Sequence, residues 1–431
     1  MKKITEEATG SKSETKSVLD ELIQQGARQI IQQAVEAELA TMLEQYSNVK
    51  SIDGRRAVVR NGYLPEREVV TAIGPVTVKV PKVRDRSGSG IHFNSAIVPP
   101  YVRKSARVSA ALPWLYLRGI STGDMGEALG IMLGGEVSGM SPNVVSRLKA
   151  QWAEEHEQWN RRELSSARWV YWWADGIHTG VRSDDSDGQC LLVIIGVKPD
   201  GTKERVAIGD GYRESKASWG ELLLDLKKRG LQSGPLLACG DGAMGFWAAM
   251  EEVFPQTKHQ RCWFHKMGNV LNALPKSQQA RAKKAMQDIW MAATRADALV
   301  AFNHFVDAYW AKYPKVAEKL TEDRDELLAF YDFPAEHWQH LRTTNPIEST
   351  FATVRHRTKR TRNCVSRATF LGLAFKLIES AEESWRRIRA PEKLTSLLDG
   401  MTFKDGEPVT HSTPAQQSLA ARSCRHPVHQ I

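Results

Sequence analysis

Trp169-Val170-Tyr171-Trp172-Trp173-Ala174-Asp175-Gly176 opens the stretch whose reading decides the fold. It is aromatic and apolar up to a carboxylate, which predicts a buried strand over Trp169–Ala174 with Asp175 at its end. Cys190–Val197 predicts a second strand and Lys203–Tyr212 a third, the latter after the turn Pro199-Asp200-Gly201. Strands in succession with short connections imply an antiparallel meander. A helix follows over about Lys216–Arg229, with Trp219, Leu222, Leu223 and Leu226 on one face. A short apolar strand, Leu236–Cys239, then runs into Gly240-Asp241-Gly242. A helix at Phe246–Val253 and a strand near Thr257–Arg261 complete the run.

The order β-β-β-α-β-α-β is that of a ribonuclease H-like core, a mixed sheet flanked by helices. Residues 266–340 carry helical periodicity and no strand, so they read as a helical insertion with Trp290, Trp310 and Trp338 as core anchors. The α/β domain therefore takes residues 166–265 and 341–400. Residues 401–431 form a polar tail without periodicity.

Upstream, residues 17–46 read as one amphipathic helix, with Leu19, Leu22, Ile23, Ala27, Ile30, Ile31, Ala34 and Val35 at helical spacing. Such a helix, within a segment of residues 1–50, must pack on the next domain or on a second copy of itself. Residues 51–165 begin with a hairpin, Val69–Ile73 and Val76–Val80 around Gly74-Pro75, and an exposed basic loop from Pro81 to Gly90. Three helical pieces follow over 103–160. Pro113 marks a start or kink in the first, Ser121 and Asp124 cap the second, which stops at Gly134-Gly135, and Ser141-Pro142 starts the third. That last helix carries Val144, Val145, Leu148 and Trp152 on one face, and also Arg147 and Lys149. The pair resembles a helix-turn-helix with an overlong linker, and an ordinary helical bundle is the plainer alternative.

The chain has 431 residues, with 59 Lys+Arg against 50 Asp+Glu. Residues 50–107 hold twelve basic against four acidic side chains, and residues 341–367 hold seven against one. Two separated cationic segments suggest surfaces that meet a polyanion, although one such cluster alone is usually a solvated face. The 42% hydrophobic content excludes general disorder, and no apolar run reaches the ~20 residues of a membrane span. The polar N-terminus does not read as a secretory signal. Five widely spaced cysteines form no disulfide framework, which suits a reducing cytoplasm.

Asp175, Asp241 and Glu348 fall where this strand order builds a metal site. Hard divalent cations take carboxylate oxygens, and such ions serve phosphoryl transfer. Each residue also has a plainer reading. Asp175-Gly176 and Asp241-Gly242 are common turn pairs, and Asn345, Pro346 and Glu348 fit a capping box at N-cap, N1 and N3. Cys262 and His265 form a Cys-x-x-His pair; zinc would need two further ligands, and only His259 and Cys239 are near in sequence. A packing or site-supporting role is preferred for the pair.

Several stretches together carry a resemblance. They are Arg60-Asn61-Gly62-Tyr63, Val76-Thr77-Val78-Lys79-Val80-Pro81-Lys82-Val83-Arg84, Gly240-Asp241-Gly242, Cys262-Trp263-Phe264-His265, and Thr343-Thr344-Asn345-Pro346-Ile347-Glu348-Ser349 with its following basic run. In this order, over roughly 55–365, they resemble a Mutator-related DDE transposase of a bacterial insertion sequence. Cys239 stands where that pattern has a serine. The resemblance implies that Asp175, Asp241 and Glu348 are a catalytic triad binding Mg²⁺ or Mn²⁺, with a helical insertion before the glutamate.

Read this way, the chain is a DNA transposase that cuts at the ends of its element and joins a 3′-hydroxyl to target DNA. The 17–160 region would bind terminal inverted repeats and help to assemble a homodimer or higher homo-oligomer. Arg147 and Lys149 would contact DNA, as would Arg355, Lys359 and Arg362 on the helix after Glu348, whose apolar face is Ile347, Phe351 and Val354. The expected setting is the cytoplasm, at the nucleoid, with no membrane. The rivals are a ribonuclease H-like nuclease or resolvase that cuts without joining, and a DNA-binding regulator whose catalysis has lapsed.

Overall fold

The computed structural model describes residues 18–134, 137, 142–178, 189–242, 244–360 and 367–409. The chain forms two compact units, Met1–Leu148 and Lys149–Ile431.

In the first unit, helix α1 (Val18–Gln45) has the expected extent. Strand β1 (Val58–Tyr63) pairs antiparallel with β4 (Pro81–Asp85), and β2 (Arg67–Thr71) pairs antiparallel with β3 (Gly74–Val78). A hairpin is thus present, but it turns at Ala72-Ile73, and Gly74-Pro75, expected at the turn, begin the second strand. Residues 81–85 are no loop: Lys82 and Arg84 point outward while Val83 is buried, and Pro81 occupies a strand's first position, where its missing N–H is tolerated. The C-terminal half of α1 covers both pairs. Val35 packs with Val69, Val76, Val78 and Val98, and Leu39 with Val58 and Val83. Several cations of this segment serve the fold. Arg67 donates to the carbonyls of Val98, Pro99, Pro100 and Val102 at 2.6–3.1 Å, and Arg60 pairs with Glu36 at 2.9 Å.

Helix α2 (Ala106–Leu117) is capped by Ser105 and has Pro113 inside it, so Pro113 neither starts nor ends it. Helix α3 (Met125–Leu133) begins four residues later than Ser121. Ser121 and Asp124 instead close a turn before it, with the Asp124 N–H donating to Ser121 Oγ at 3.1 Å. Gly134, at φ 69°, terminates it. Helix α4 (Pro142–Asn160) starts as expected. Ser141 and most of the linker lie outside the described residues.

The second unit is built on a five-stranded mixed sheet: β5 (Tyr171–His178), β6 (Gln189–Val197), β7 (Lys203–Tyr212), β8 (Leu237–Gly240) and β9 (Lys258–Arg261), in spatial order β7-β6-β5-β8-β9. β5 to β7 form the antiparallel meander, and β8 and β9 add parallel to β5. β5 runs to His178, so Asp175 lies inside the strand, opposite Val193, and the turn reading of Asp175-Gly176 is excluded. Strand alternation sorts the aromatic run. Trp172 and Ala174 face a core closed by Trp219, Leu223 and Leu226 of α5 (Lys216–Lys228) and by Phe246 and Met250 of α6 (Met244–Val253). On the opposite face, Trp173 donates to the His340 carbonyl at 3.0 Å and the Tyr171 hydroxyl meets His337 Nδ1 at 2.8 Å.

After β9 the chain is helical: α7 (Trp263–Asn272), α8 (Lys276–Trp290), α9 (Arg295–Trp310), α10 (Pro314–Thr321), α11 (Arg324–Leu327) and, beyond two short 3₁₀ turns, α12 (Trp338–Leu341). Trp338 is buried and Trp290 packs on Trp263 at 5.1 Å, but Trp310 is half exposed and is no part of the buried core. Helices α13 (Asn345–Arg360), α14 (Arg367–Glu382) and α15 (Glu392–Leu398) follow, and α13 packs on β5 and β6. The start of the polar tail is ordered. Phe403–Lys404 pairs with Glu407–Pro408, Phe403 is buried, and the Asp405 carboxylate accepts the Arg295 N–H at 2.6 Å. No helix among the described residues is long and apolar enough to cross a membrane.

Candidate active site

Asp175 and Asp241 become neighbours through sheet register. Ala174 stands opposite Gly240 in the parallel β5–β8 pair, so the next residue on each strand projects at the same level. Parallel strands lie about 4.8 Å apart, which sets the separation. The carbonyl of Asp241 is held by Trp247 Nε1 at 3.0 Å and by the Arg261 guanidinium. The flanking glycines serve these partners. A Cβ on Gly240 would meet Trp247 at 2.9 Å, and one on Gly242 would meet Arg261 at 2.6 Å. They make room for side chains that fix Asp241 rather than for a ligand at the backbone.

A third carboxylate joins the two aspartates, and it is Glu214, between β7 and α5. One oxygen each from Asp175, Glu214 and Asp241 lie within 4.8 Å of one another. Nothing in the sequence around Glu214 forms a motif. Its only signal is Gly176, a glycine inside a strand, which marks a close approach: a Cβ there would stand 2.4 Å from the Glu214 carboxyl carbon.

Glu348 is placed beside this group, in a second one with Cys262 and His265, again within 4.8 Å. Cys262 precedes α7 and anchors it by donating its N–H to the Gly240 carbonyl at 2.8 Å. His265, in the first turn of α7, brings Nε2 to 3.7 Å from Glu348 Oε1. The expected capping box does not form, because the helix starts one residue earlier and Glu348 falls at N4. The Thr344 carbonyl accepts the N–H groups of Ile347 and Glu348, so Thr344 is the N-cap. Its hydroxyl lies 2.9 Å from Glu348 Oε1 and 3.3 Å from Cys262 Sγ. The sequence neighbours considered for zinc go elsewhere: Cys239 directs its thiol to the Leu341 carbonyl at 3.2 Å, and His259 packs at a tilt against Trp247 with ring centroids 4.6 Å apart.

Electrostatics follow from the packing. Burial pushes the Asp175 carboxyl up to about 7, with the Asp241 and Glu214 charges adding and His265 opposing. Burial and Asp241 raise Glu214 to about 7 as well. The Cys262 sulfur lifts His265 to about 9 against its burial, with Asp241 and Asp175 adding to the rise, so this imidazole is cationic at neutral pH. Burial works against ionisation of Cys262, yet hydrogen bonding from His265 and Thr344 leaves its thiol below the ordinary value. The centre opens to solvent through a cleft of about 630 Å³ lined by Arg213, Glu214, Asp241, His265 and Asn269 among others. Clustered hard oxygens, with Asp175 only 7% exposed, are a donor set that suits a hard divalent cation.

The expected DNA-contacting residues that are described lie on α4 and α13. Arg147 is exposed and Lys149 half-buried on α4. On α13, Ile347, Phe351 and Val354 are fully buried, as the apolar face requires, and Arg355 is exposed beside the Phe351 ring. The Lys359 side chain and all of Arg362 lie outside the described residues.

Comparison with known proteins adds a family. The model described as "Transposase, Mutator family" matches residues 1–388. The transposase for insertion sequence element IST2 of Acidithiobacillus ferrooxidans is 57% identical over 297 residues, 69% of this chain and 100% of the relative. That for IS6120 of Mycolicibacterium smegmatis is 51% identical over 306 residues, 71% of this chain and 94% of the relative. A more distant relative, the transposase for IS905 of Lactococcus lactis, is 28% identical over 347 residues, 80% of this chain and 85% of its own.

Proposed function

This chain belongs to the Mutator family of transposases, and from that premise we propose that it cuts DNA at the ends of its insertion sequence and joins the freed 3′-hydroxyl to target DNA. The α/β unit is read as a ribonuclease H-like DDE domain, with Asp175, Asp241 and Glu348 as its catalytic carboxylates. The observation that carries this reading is the convergence of Asp175 and Asp241 at one level of adjacent strands, with Glu348 brought alongside through His265.

In the first step water attacks a phosphodiester at the element end, and the 3′ oxygen leaves as a hydroxyl. In the second, that hydroxyl attacks a target phosphodiester in line, displacing another 3′ oxygen. The carboxylates would hold a divalent cation, which would supply charge neutralisation at the reacting phosphate. The protein's own part is positioning. Arg261 and Trp247 hold the Asp241 backbone, the sheet fixes Asp175, and Thr344 and His265 hold the Glu348 carboxylate.

Exposed Arg147 and Arg355, with Lys149, Lys359 and Arg362, are assigned to the DNA backbone. Residues 17–160 are assigned to terminal-repeat recognition and to assembly of a homodimer or higher oligomer. The exposed Val18, Leu22 and Ile30 of α1 support the assembly role. The working place is the cytoplasm, on the nucleoid. The test is incubation of purified protein with DNA carrying the element's ends, target DNA and Mg²⁺, followed by mapping of products. Joined 3′ ends support transposition; cut ends that are never joined make the protein a nuclease, and intact DNA makes it a binding regulator.

A further inference from the structure

We infer that Glu214, and not Glu348, completes a first cation site with Asp175 and Asp241, so that the centre uses four carboxylates in two groups. This rests on the catalytic reading above and adds a residue to it. Oxygens around a single magnesium lie roughly 3–4 Å from one another, since each is about 2.1 Å from the ion. Those of Asp175, Glu214 and Asp241 already lie within 4.8 Å, so a small contraction closes them on one ion. Glu348 belongs to the other group, with Cys262 and His265, where Thr344 Oγ1 is 2.9 Å and His265 Nε2 3.7 Å from its Oε1.

The place of Glu214 is built by two glycines from different elements. Gly176 of β5 leaves open the space its own Cβ would take, 2.4 Å from the Glu214 carboxyl carbon. Gly245 of α6 lets the helix approach so closely that a Cβ would stand 2.3 Å from the Glu214 carbonyl oxygen. Side chain and backbone are therefore both located by missing side chains. Asp175, at the bottom of the group, is 7% exposed, and the charges acting on it are Asp241, Glu214 and His265. Three carboxylates brought together around a buried member are balanced by a bound cation in a way that one imidazolium does not achieve.

The test is Mn²⁺ binding to the full chain without DNA, followed by the paramagnetic signal of free Mn²⁺, with thermal unfolding as the check on folding. Glu214→Gln is expected to weaken binding by at least about tenfold, as Asp175→Asn does, whereas Glu348→Gln stays within about threefold of wild type. Gly176→Ala, which displaces the Glu214 carboxylate without removing it, is expected to lose Mn²⁺ affinity too. Wild-type Mn²⁺ affinity in Glu214→Gln, beside a loss in Asp175→Asn, overturns the assignment and leaves the catalytic reading standing. Wild-type affinity in both variants, with DNA cleavage intact in Asp175→Asn, overturns both.

Discussion

His265 Nε2 stands 3.7 Å from Glu348 Oε1, and this pair links the two acidic groups of the centre. The imidazole also feels Asp241 and Asp175, so one cationic ring sits among all the carboxylates proposed to act. Replacing it by Asn removes the charge while keeping a polar side chain. His265→Asn is expected to lower cleavage by about 10²-fold or more, because the carboxylates lose both orientation and counter-charge. End binding measured on the same preparation should change by less than about threefold. Equal losses in binding and cleavage would assign His265 to DNA contact instead.

Metal-free stability should depend on pH through Asp175. Its carboxyl is held at about 7 against an ordinary value of 3.8, so between these values the folded state binds more protons than the unfolded. The associated stability is fully present below about pH 4 and is lost as pH rises to about 7. Asp175→Asn lacks this titration. Its melting temperature in EDTA should therefore gain on wild type steadily from pH 4 to 7, and Mg²⁺ should narrow the gap by stabilising the wild type. A constant difference across that range would show that Asp175 titrates normally.

Gly176→Ala separates folding from chemistry. The added methyl meets the end of a flexible side chain, so the strand should hold and the melting temperature should fall by only a few degrees. The displaced Glu214 should nevertheless lower the cleavage rate by about tenfold or more. A wild-type rate would show that the place of this carboxylate does not matter to the reaction.

Gly372 of α14 makes the opposite case. A Cβ there would lie 2.6 Å from the Ala153 backbone nitrogen of α4, where neither partner is a flexible tip. Gly372→Ala is expected to destabilise the second unit by about 1–3 kcal/mol, read by urea unfolding. No change would mean that the two helices can separate without cost.

Arg355 tests the DNA surface. Neutralising it should weaken binding about equally across sequences and reduce the salt slope by about one. An unchanged slope would show that this face of α13 meets solvent only.

Where residue pattern maps directly onto geometry, the sequence was readable. The apolar runs gave the meander, and the strand–Gly-Asp-Gly junction placed Asp241 after β8. Ile347, Phe351 and Val354 marked the buried side of α13. Local patterns that serve two structures were not readable. Asp175-Gly176 looks like a turn because its glycine, a space for Glu214, mimics a turn residue. Lys82 and Arg84 looked like a loop because outward cations hid the alternation around Val83. Glu214 leaves no mark in its own stretch of sequence because tertiary approach alone brings it to the aspartates. Thr344 took the cap from Asn345 because its carbonyl reaches the Ile347 and Glu348 N–H groups, a choice that spacing does not decide.

The most direct test of the central claim is the activity of Glu348→Gln, with end binding and melting temperature measured alongside. Gln keeps the shape and can still accept the Thr344 hydroxyl, so folding and end binding should remain near wild type. It lacks the anionic charge that Glu348 presents to His265 at the centre, so cleavage and strand joining should both collapse. Cleavage at the wild-type rate in a folded, end-binding Glu348→Gln protein would contradict the assignment of Glu348 to the chemistry.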